Sequence, residues 1–171
     1  MFWGVYHKFI YLLRPFASFG LNLFSGLVST KRARVFIYRD QSVLLVRDIF
    51  SGDRWCMPGG GVERNELASM AASREVLEEV GLYIEPKELN LLGKVKRLSI
   101  KDLTYNAILY SYQTESEISL SVNKWEIVEA RWFKLFSLPK ERTALVDEAL
   151  RLLRQSQKAD IMSEVVYEIF K

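Results

Sequence analysis

Three consecutive glycines, Gly59-Gly60-Gly61, precede an acidic amphipathic segment, Arg74-Glu75-Val76-Leu77-Glu78-Glu79-Val80, and this pairing constrains the fold more than any other feature of the chain. With about 3.6 residues per helical turn, Glu75, Glu78 and Glu79 stand at i, i+3 and i+4 and share a sector of roughly 100°. Met70, Val76, Leu77 and Val80 fall on another side and are expected to face a core. Ala68, Ala71 and Ala72 flank the acidic stripe and are expected to leave room above it. The spacing predicts a helix from about Glu66 to Val80, capped by Asn65 and ended by Gly81 in the left-handed conformation.

Three carboxylates on one stripe repel one another unless cations sit among them. Oxygen ligands presented this way suit Mg²⁺ or Mn²⁺, which keep several waters and bridge to substrate phosphates. An isolated Glu-x-x-Glu-Glu is more often a solvated acidic face, with Arg74 as its ion-pair partner. The glycines shift that balance, because backbone groups without a Cβ can approach a metal or a phosphate closely.

Around this centre the chain reads as a mixed order of elements. Arg34–Tyr38 and Val43–Val46 are predicted strands joined by a turn at Arg39–Ser42. Leu91–Ile100 and Leu103–Gln113 form a predicted hairpin, with another strand near Ala130–Phe133. A helix is expected over Arg142–Gln155 with Leu145, Leu150, Leu152 and Leu153 on its buried side, and a further helical piece over Ile161–Phe170. Strands, one central helix, strands and a last helix lack the regular alternation of a doubly wound sheet. The expected class is α+β, an α/β/α sandwich with a mixed sheet.

The 171 residues, 49% of them apolar, suffice for one core. The domain plan is an amphipathic extension at 1–30, a main domain at 31–157 and a terminal helix at 158–171. One cysteine, Cys56, and one histidine, His7, exclude a disulfide framework and a cysteine-rich zinc site, and agree with a reducing, cytoplasmic setting. Residues 1–39 carry six basic side chains and no acid, leaving 18 basic against 21 acidic groups in the remainder. A net charge of +3 therefore does not describe a uniformly basic nucleic-acid binder, and no DNA partner is expected. Within residues 1–30, apolar positions recur at helical spacing on both sides of Arg14-Pro15, without the roughly 20 uninterrupted apolar residues of a membrane span. Packing on the domain, homodimerisation, peripheral membrane contact and a cleaved targeting segment are the alternatives for this extension.

Gly60, five residues, Glu66, seven residues and then Arg74-Glu75-Val76-Leu77-Glu78-Glu79-Val80-Gly81-Leu82 resembles the Nudix box at every fixed position of its 23-residue pattern. Trp55–Glu63 is similar to the segment that leads into that box. Glu129–Phe133, followed by Leu138-Pro139, is similar to the family's late strand and the start of its last helix. The resemblance spans residues 34–155.

It implies hydrolysis of a diphosphate linkage in a nucleoside diphosphate joined to another moiety, by metal-activated water. It also implies metal ligation by Glu75, Glu78 and Glu79 with the Gly60 carbonyl, and a supporting Glu66–Arg74 ion pair. Catalytic roles fall to Glu78, Glu79 and Glu129, the general base being Glu79 or Glu129, with Glu126 a weaker candidate. Trp55 and Phe50 are candidates for stacking on a substrate base, and Gly59 and Gly61 for meeting its phosphates. A nucleotide-sensing module without catalysis, or a membrane-associated interaction protein, is the alternative reading. The closely spaced acids argue against the first of these, because a module that does not hydrolyse has no use for them.

Overall fold

The computed structural model describes residues 31–49, 53–100, 103–115 and 118–169; the expectations for residues 1–30, for Phe50 and for Phe170 lie outside these. Six strands form one mixed sheet: β1 (Lys31–Arg39), β2 (Ser42–Asp48), β3 (Gly59–Gly61), β4 (Asn90–Ile100), β5 (Leu103–Gln113) and β6 (Ile127–Lys134). Their order is β4-β5-β1-β2-β6, with β3 paired to β1. β1 runs parallel to β5 and antiparallel to β2 and β3. Helices α1 (Ala68–Val80) and α2 (Ala144–Ile169) complete the expected sandwich.

The alternation of β1 sorts its apolar side chains to two cores. Ala33, Val35 and Ile37 join Leu44, Val46 and the α1 residues Ala71, Ala72, Val76 and Val80. Phe36 joins Val43, Leu45, Trp55, Met57 and the α2 residues Leu145, Val146, Ala149, Leu150 and Leu153. At about 1.5–3 kcal/mol for each large side chain buried, these two clusters are the main force holding the helices to the sheet.

The centre of the sheet is forked. β1 and β2 pair through Tyr38–Val43 and Arg39–Ser42 at their turn. Further from the turn the segment 55–61 lies between them. Cys56 exchanges backbone hydrogen bonds with Val46 of β2 at 2.8 and 2.9 Å, while Gly59, Gly60 and Gly61 pair with Arg34, Ala33 and Arg32 of β1. Only a glycine fits at position 59. Its φ is +127°, and a Cβ there would fall 2.2 Å from the Ala33 carbonyl oxygen.

Several local expectations need correction. Met70 and Leu77 of α1 are 52% and 44% exposed, while Ala71 and Ala72 are fully buried. The small side chains thus let α1 approach the sheet closely, instead of flanking the acidic stripe. Asn65 does not cap α1: it sits in a turn with φ +64°, and Leu67 holds the N-cap position without a side-chain bond. Gly81 does end the helix in the left-handed region, its N–H donating to the Leu77 carbonyl at 3.0 Å. The two helical pieces expected after residue 142 are one continuous α2, because nothing between Gln155 and Ile161 breaks a helix. Among the described residues, no helix is long and apolar enough to cross a membrane.

Candidate active site

β3 and α1 are joined by residues 62–67, so the glycines and the acidic stripe meet at one end of the sheet. Arg74 organises the outer part of the meeting. Its Nε and Nη2 donate to the two Glu66 carboxylate oxygens at 2.9 and 3.1 Å, and Nη2 also donates to the Gly61 carbonyl at 3.0 Å. Nη1 reaches Glu75 at 2.9 Å and, more weakly, Glu78 at 3.5 Å. Glu66 further accepts the Glu63 N–H at 2.9 Å. Burial alone raises the Glu66 pKa, but the Arg74 and Glu63 bonds overcome this and hold it below the usual carboxylate value. The loop is thereby pinned to the helix by a fork-shaped ion pair.

Glu75 lies directly over Gly60. A Cβ at position 60 would stand 2.4 Å from the Glu75 carboxylate, so the missing side chain is what lets the carboxylate and the glycine backbone share one space. Glu78, with 40% of its side chain exposed, stands beside them. Its pKa is raised by desolvation and by repulsion from Glu75, Glu63 and Glu66, against the pull of Arg74.

Glu79 faces the other way. It is only 5% exposed, and its Oε2 accepts the Gly59 N–H at 2.8 Å. Desolvation is the largest cause of its displaced pKa, which is pushed up to about 8 even though Arg34 and the Gly59 N–H favour the charged form. Beneath it lies a buried polar group. The Arg34 Nη1 donates to the Met57 carbonyl at 2.9 Å, and Nη2 stands 3.9 Å from Asp48. The Cys56 thiol contacts Asp48 at 3.4 Å, and burial pushes that thiol up to about 12, so it is no nucleophile at neutral pH.

A further acid reaches the site from outside the motif. Residues after β5 cross the C-terminal end of α1, where the Ser121 and Asn123 N–H groups donate to the Val80 and Glu79 carbonyls at 2.9 and 3.0 Å. This crossing leads to Glu126, whose backbone carbonyl accepts the Ile49 N–H at 3.0 Å. The Glu126 pKa is raised by desolvation and then by Glu75, Glu78 and Asp48, which places its carboxyl within the field of the acidic stripe.

Glu129 is not brought to this cluster. It pairs with Arg47 at 2.6 Å and with Arg131, on the face of the sheet that carries α2. Trp55 lies on that face too, 8% exposed and edge-on to Phe133 at 4.6 Å, with the Arg47 and Arg131 guanidinium groups 5.1 and 5.6 Å from its ring. It is a packed core residue with no face open for stacking. Gly59 and Gly61 have their N–H and carbonyl groups, respectively, bound to Glu79 and Arg74. Neither Arg34 nor Asp48 is among the site residues expected from the sequence. The one signal for them is a charge closing or interrupting an apolar strand run, in Ala33-Arg34-Val35 and Val46-Arg47-Asp48.

The donor set suits a hard cation. Among the described residues no three metal-ligating side chains form a closed cage. Mg²⁺ does not need one, because it takes one or two carboxylates and keeps water or substrate oxygens in its other positions. Glu75 and Glu78 offer carboxylate oxygens beside the Gly60 backbone, and the surplus of acids around Arg74 leaves negative charge for a cation to neutralise.

Comparison with known proteins decides what this arrangement is. A family model described as the NUDIX domain matches residues 28–155. The chain belongs to the Nudix family. Proteins of this family generally use divalent metals. Among its relatives is the diphosphoinositol polyphosphate phosphohydrolase 2 of Rattus norvegicus, 36% identical over 108 residues that make up 61% of this chain and 58% of that protein. The diphosphoinositol polyphosphate phosphohydrolase 3-beta of Bos taurus is 35% identical over 115 residues, 61% of this chain and 64% of its own length. The Nudix chain thus spans about three fifths of the relatives it matches. A MutT Nudix hydrolase of Burkholderia pseudomallei superposes with a TM-score of 0.65 at 26% identity, over 72% of this chain and 97% of the other. An Ap4A hydrolase of C. elegans shares the fold with a TM-score of 0.64 at 19% identity, over 76% and 98% of the two chains.

Proposed function

We propose that this Nudix chain is a Mg²⁺-dependent hydrolase of diphosphate linkages in small phosphorylated molecules. The observation that carries the reading is the seating of Glu75 over Gly60 with Glu78 beside it, held there by Arg74. Glu75 and Glu78 would hold the ion with the Gly60 carbonyl, and Glu79 would support them from below. The metal would supply charge neutralisation on the diphosphate and a more acidic bound water. Glu126 is our candidate to take a proton from that water, since Glu75 and Glu78 act on its carboxyl while Glu129 is engaged by Arg47. Desolvation, and then repulsion from Glu75 and Glu78, raises its proton affinity, which suits a base.

A diphosphate joined to a nucleoside is one substrate class. A second is a densely phosphorylated, non-nucleoside diphosphate. Two observations favour it: of the two aromatic side chains expected to stack on a base, Trp55 is enclosed, and two of the relatives above are named for diphosphoinositol polyphosphates. A single cysteine, itself buried, agrees with a cytoplasmic setting. The charged and aromatic extension at 1–30 is proposed as a separate element for membrane contact or self-association, not for chemistry. The test is a panel of nucleoside-linked and inositol-linked diphosphates incubated with Mg²⁺ and read by product mass. Turnover of one class assigns it. No turnover of any member, or tight nucleotide binding without metal or hydrolysis, would replace this reading with that of a sensing module.

A further inference from the structure

Arg34 is 7% exposed in the fork between β1 and β2, and the glycine motif gives no reason for a charge there. Burying a guanidinium is costly unless it is paired and hydrogen-bonded, so its surroundings indicate what it holds. Its side chain starts on β1, reaches the Met57 carbonyl in the inserted segment at 2.9 Å, and stands 3.9 Å from Asp48 on β2. From Met57 the backbone continues to Pro58, whose carbonyl accepts the Val35 N–H at 2.9 Å, and then to Gly59, whose N–H binds Glu79. Gly60, under Glu75, is next. The guanidinium therefore clamps the stretch of backbone that carries both Gly60 and the Gly59 N–H bound to Glu79.

From this geometry we infer that Arg34 is a positioning residue for divalent-metal binding: its guanidinium ties β1 to the Met57–Gly60 backbone, which carries the Gly59 N–H bound to Glu79 and the Gly60 seat under Glu75. The inference rests on the metal-dependent reading above. It concerns a residue outside the box, whose contacts are the Met57 carbonyl and Asp48. Lysine cannot reproduce the tie, because a single ammonium on a flexible stem lacks the rigid, planar donor set of arginine.

The experiment measures Mn²⁺ affinity of the full chain from the electron-paramagnetic signal of free Mn²⁺, alongside melting of the metal-free protein. Arg34→Lys and Arg34→Gln are each expected to bind Mn²⁺ about 10–100-fold more weakly than wild type, the loss typical when a group supporting a metal ligand is removed. Asp48→Asn keeps the Arg34 bond to the Met57 carbonyl. It is expected to melt lower yet bind Mn²⁺ within about threefold of wild type, less than 1 kcal/mol. Wild-type affinity in either folded Arg34 variant overturns the inference alone. An equal loss in Asp48→Asn also overturns it, since the group would then be a general brace. Failure of wild type to bind Mn²⁺ overturns the metal reading, and this inference with it. Should neither Arg34 variant fold while Asp48→Asn does, the arginine is a folding determinant and the positioning role is withdrawn.

Discussion

Two arginines stand on either side of the same glycine loop, and they are built differently. Arg74 lies on α1 with about a quarter of its side chain in solvent and all its acidic partners within the box or the turn that leads to it. Arg34 lies on β1, buried, with partners drawn from the inserted segment and from β2. The outer network is local and partly hydrated, so each of its bonds competes with water and contributes modestly to stability. The inner one is desolvated, where a lost partner leaves an uncompensated charge. The difference separates two tasks. Arg74 gathers carboxylates that a cation can approach, and Arg34 fixes the backbone on which they rest.

The largest effect that tests this division is expected on the outer side. Glu78→Gln removes one carboxylate charge from a half-exposed position without opening a cavity. Hydrolysis should fall by about 10²–10⁴-fold while the melting temperature in metal-free buffer stays level or rises, because repulsion from Glu75, Glu63 and Glu66 is relieved. Steady-state kinetics and a melting curve on the same sample check it. A variant that keeps full activity breaks the assignment of the stripe.

The glycines give the next comparison. Gly59→Ala puts a Cβ 2.2 Å from the Ala33 carbonyl oxygen in a backbone with φ +127°, so neither partner can yield. A loss of about 2–5 kcal/mol is expected by denaturant unfolding. Gly60→Ala meets the end of a flexible side chain, the Glu75 carboxylate, which can swing aside. Its stability should change by less than about 1 kcal/mol, while metal affinity drops by about tenfold. Similar losses of stability in both would remove the distinction between a backbone seat and a ligand seat.

The outer network was legible in the sequence because its partners sit at fixed short offsets: Glu66, Arg74, Glu75 and Glu78 need only a loop and a helix of known pitch to meet. Gly81 was legible for the same reason. The inner network was not, since Arg34, Asp48, Met57 and Glu79 converge only once β1 and β2 fork and residues 55–61 enter between them. The setting of Glu129 was hidden on similar grounds. Which face of β6 an acid occupies is set by register with β2, where Glu129 opposes Arg47 and a bulge follows. Local spacing carries no record of that pairing.

Protonation sharpens the inner half of the comparison. In the metal-free protein Glu79 holds its proton up to about pH 8, whereas an unfolded glutamate releases it near 4.5. Between these values the folded state binds more protons than the unfolded one, so stability falls as pH rises from about 5 to 8. Saturating Mn²⁺ should weaken that slope, because a cation held by Glu75 offsets the repulsion that helps keep the proton on Glu79. Melting temperatures across this range with and without Mn²⁺ check the sign. A metal-free slope of the opposite direction would mean that Glu79 is charged and that Arg34 dominates its surroundings.

The smallest expected effect lies on the outer surface of α1. Leu77 is apolar and adjacent to the buried Val76, and hydropathy alone assigns both to the core. The helix sets them about 100° apart, so Val76 is fully buried and Leu77 is 44% exposed. Leu77→Gln keeps the length and helix propensity of the side chain and places its amide in water. Unfolding free energy should change by less than about 0.5 kcal/mol, and the activity not at all. A larger loss of stability would show that a further part of the chain covers this face. A loss of activity at unchanged stability would instead tie the exposed side of α1 to substrate, and the clean separation between an acidic working stripe and an idle apolar one would fail.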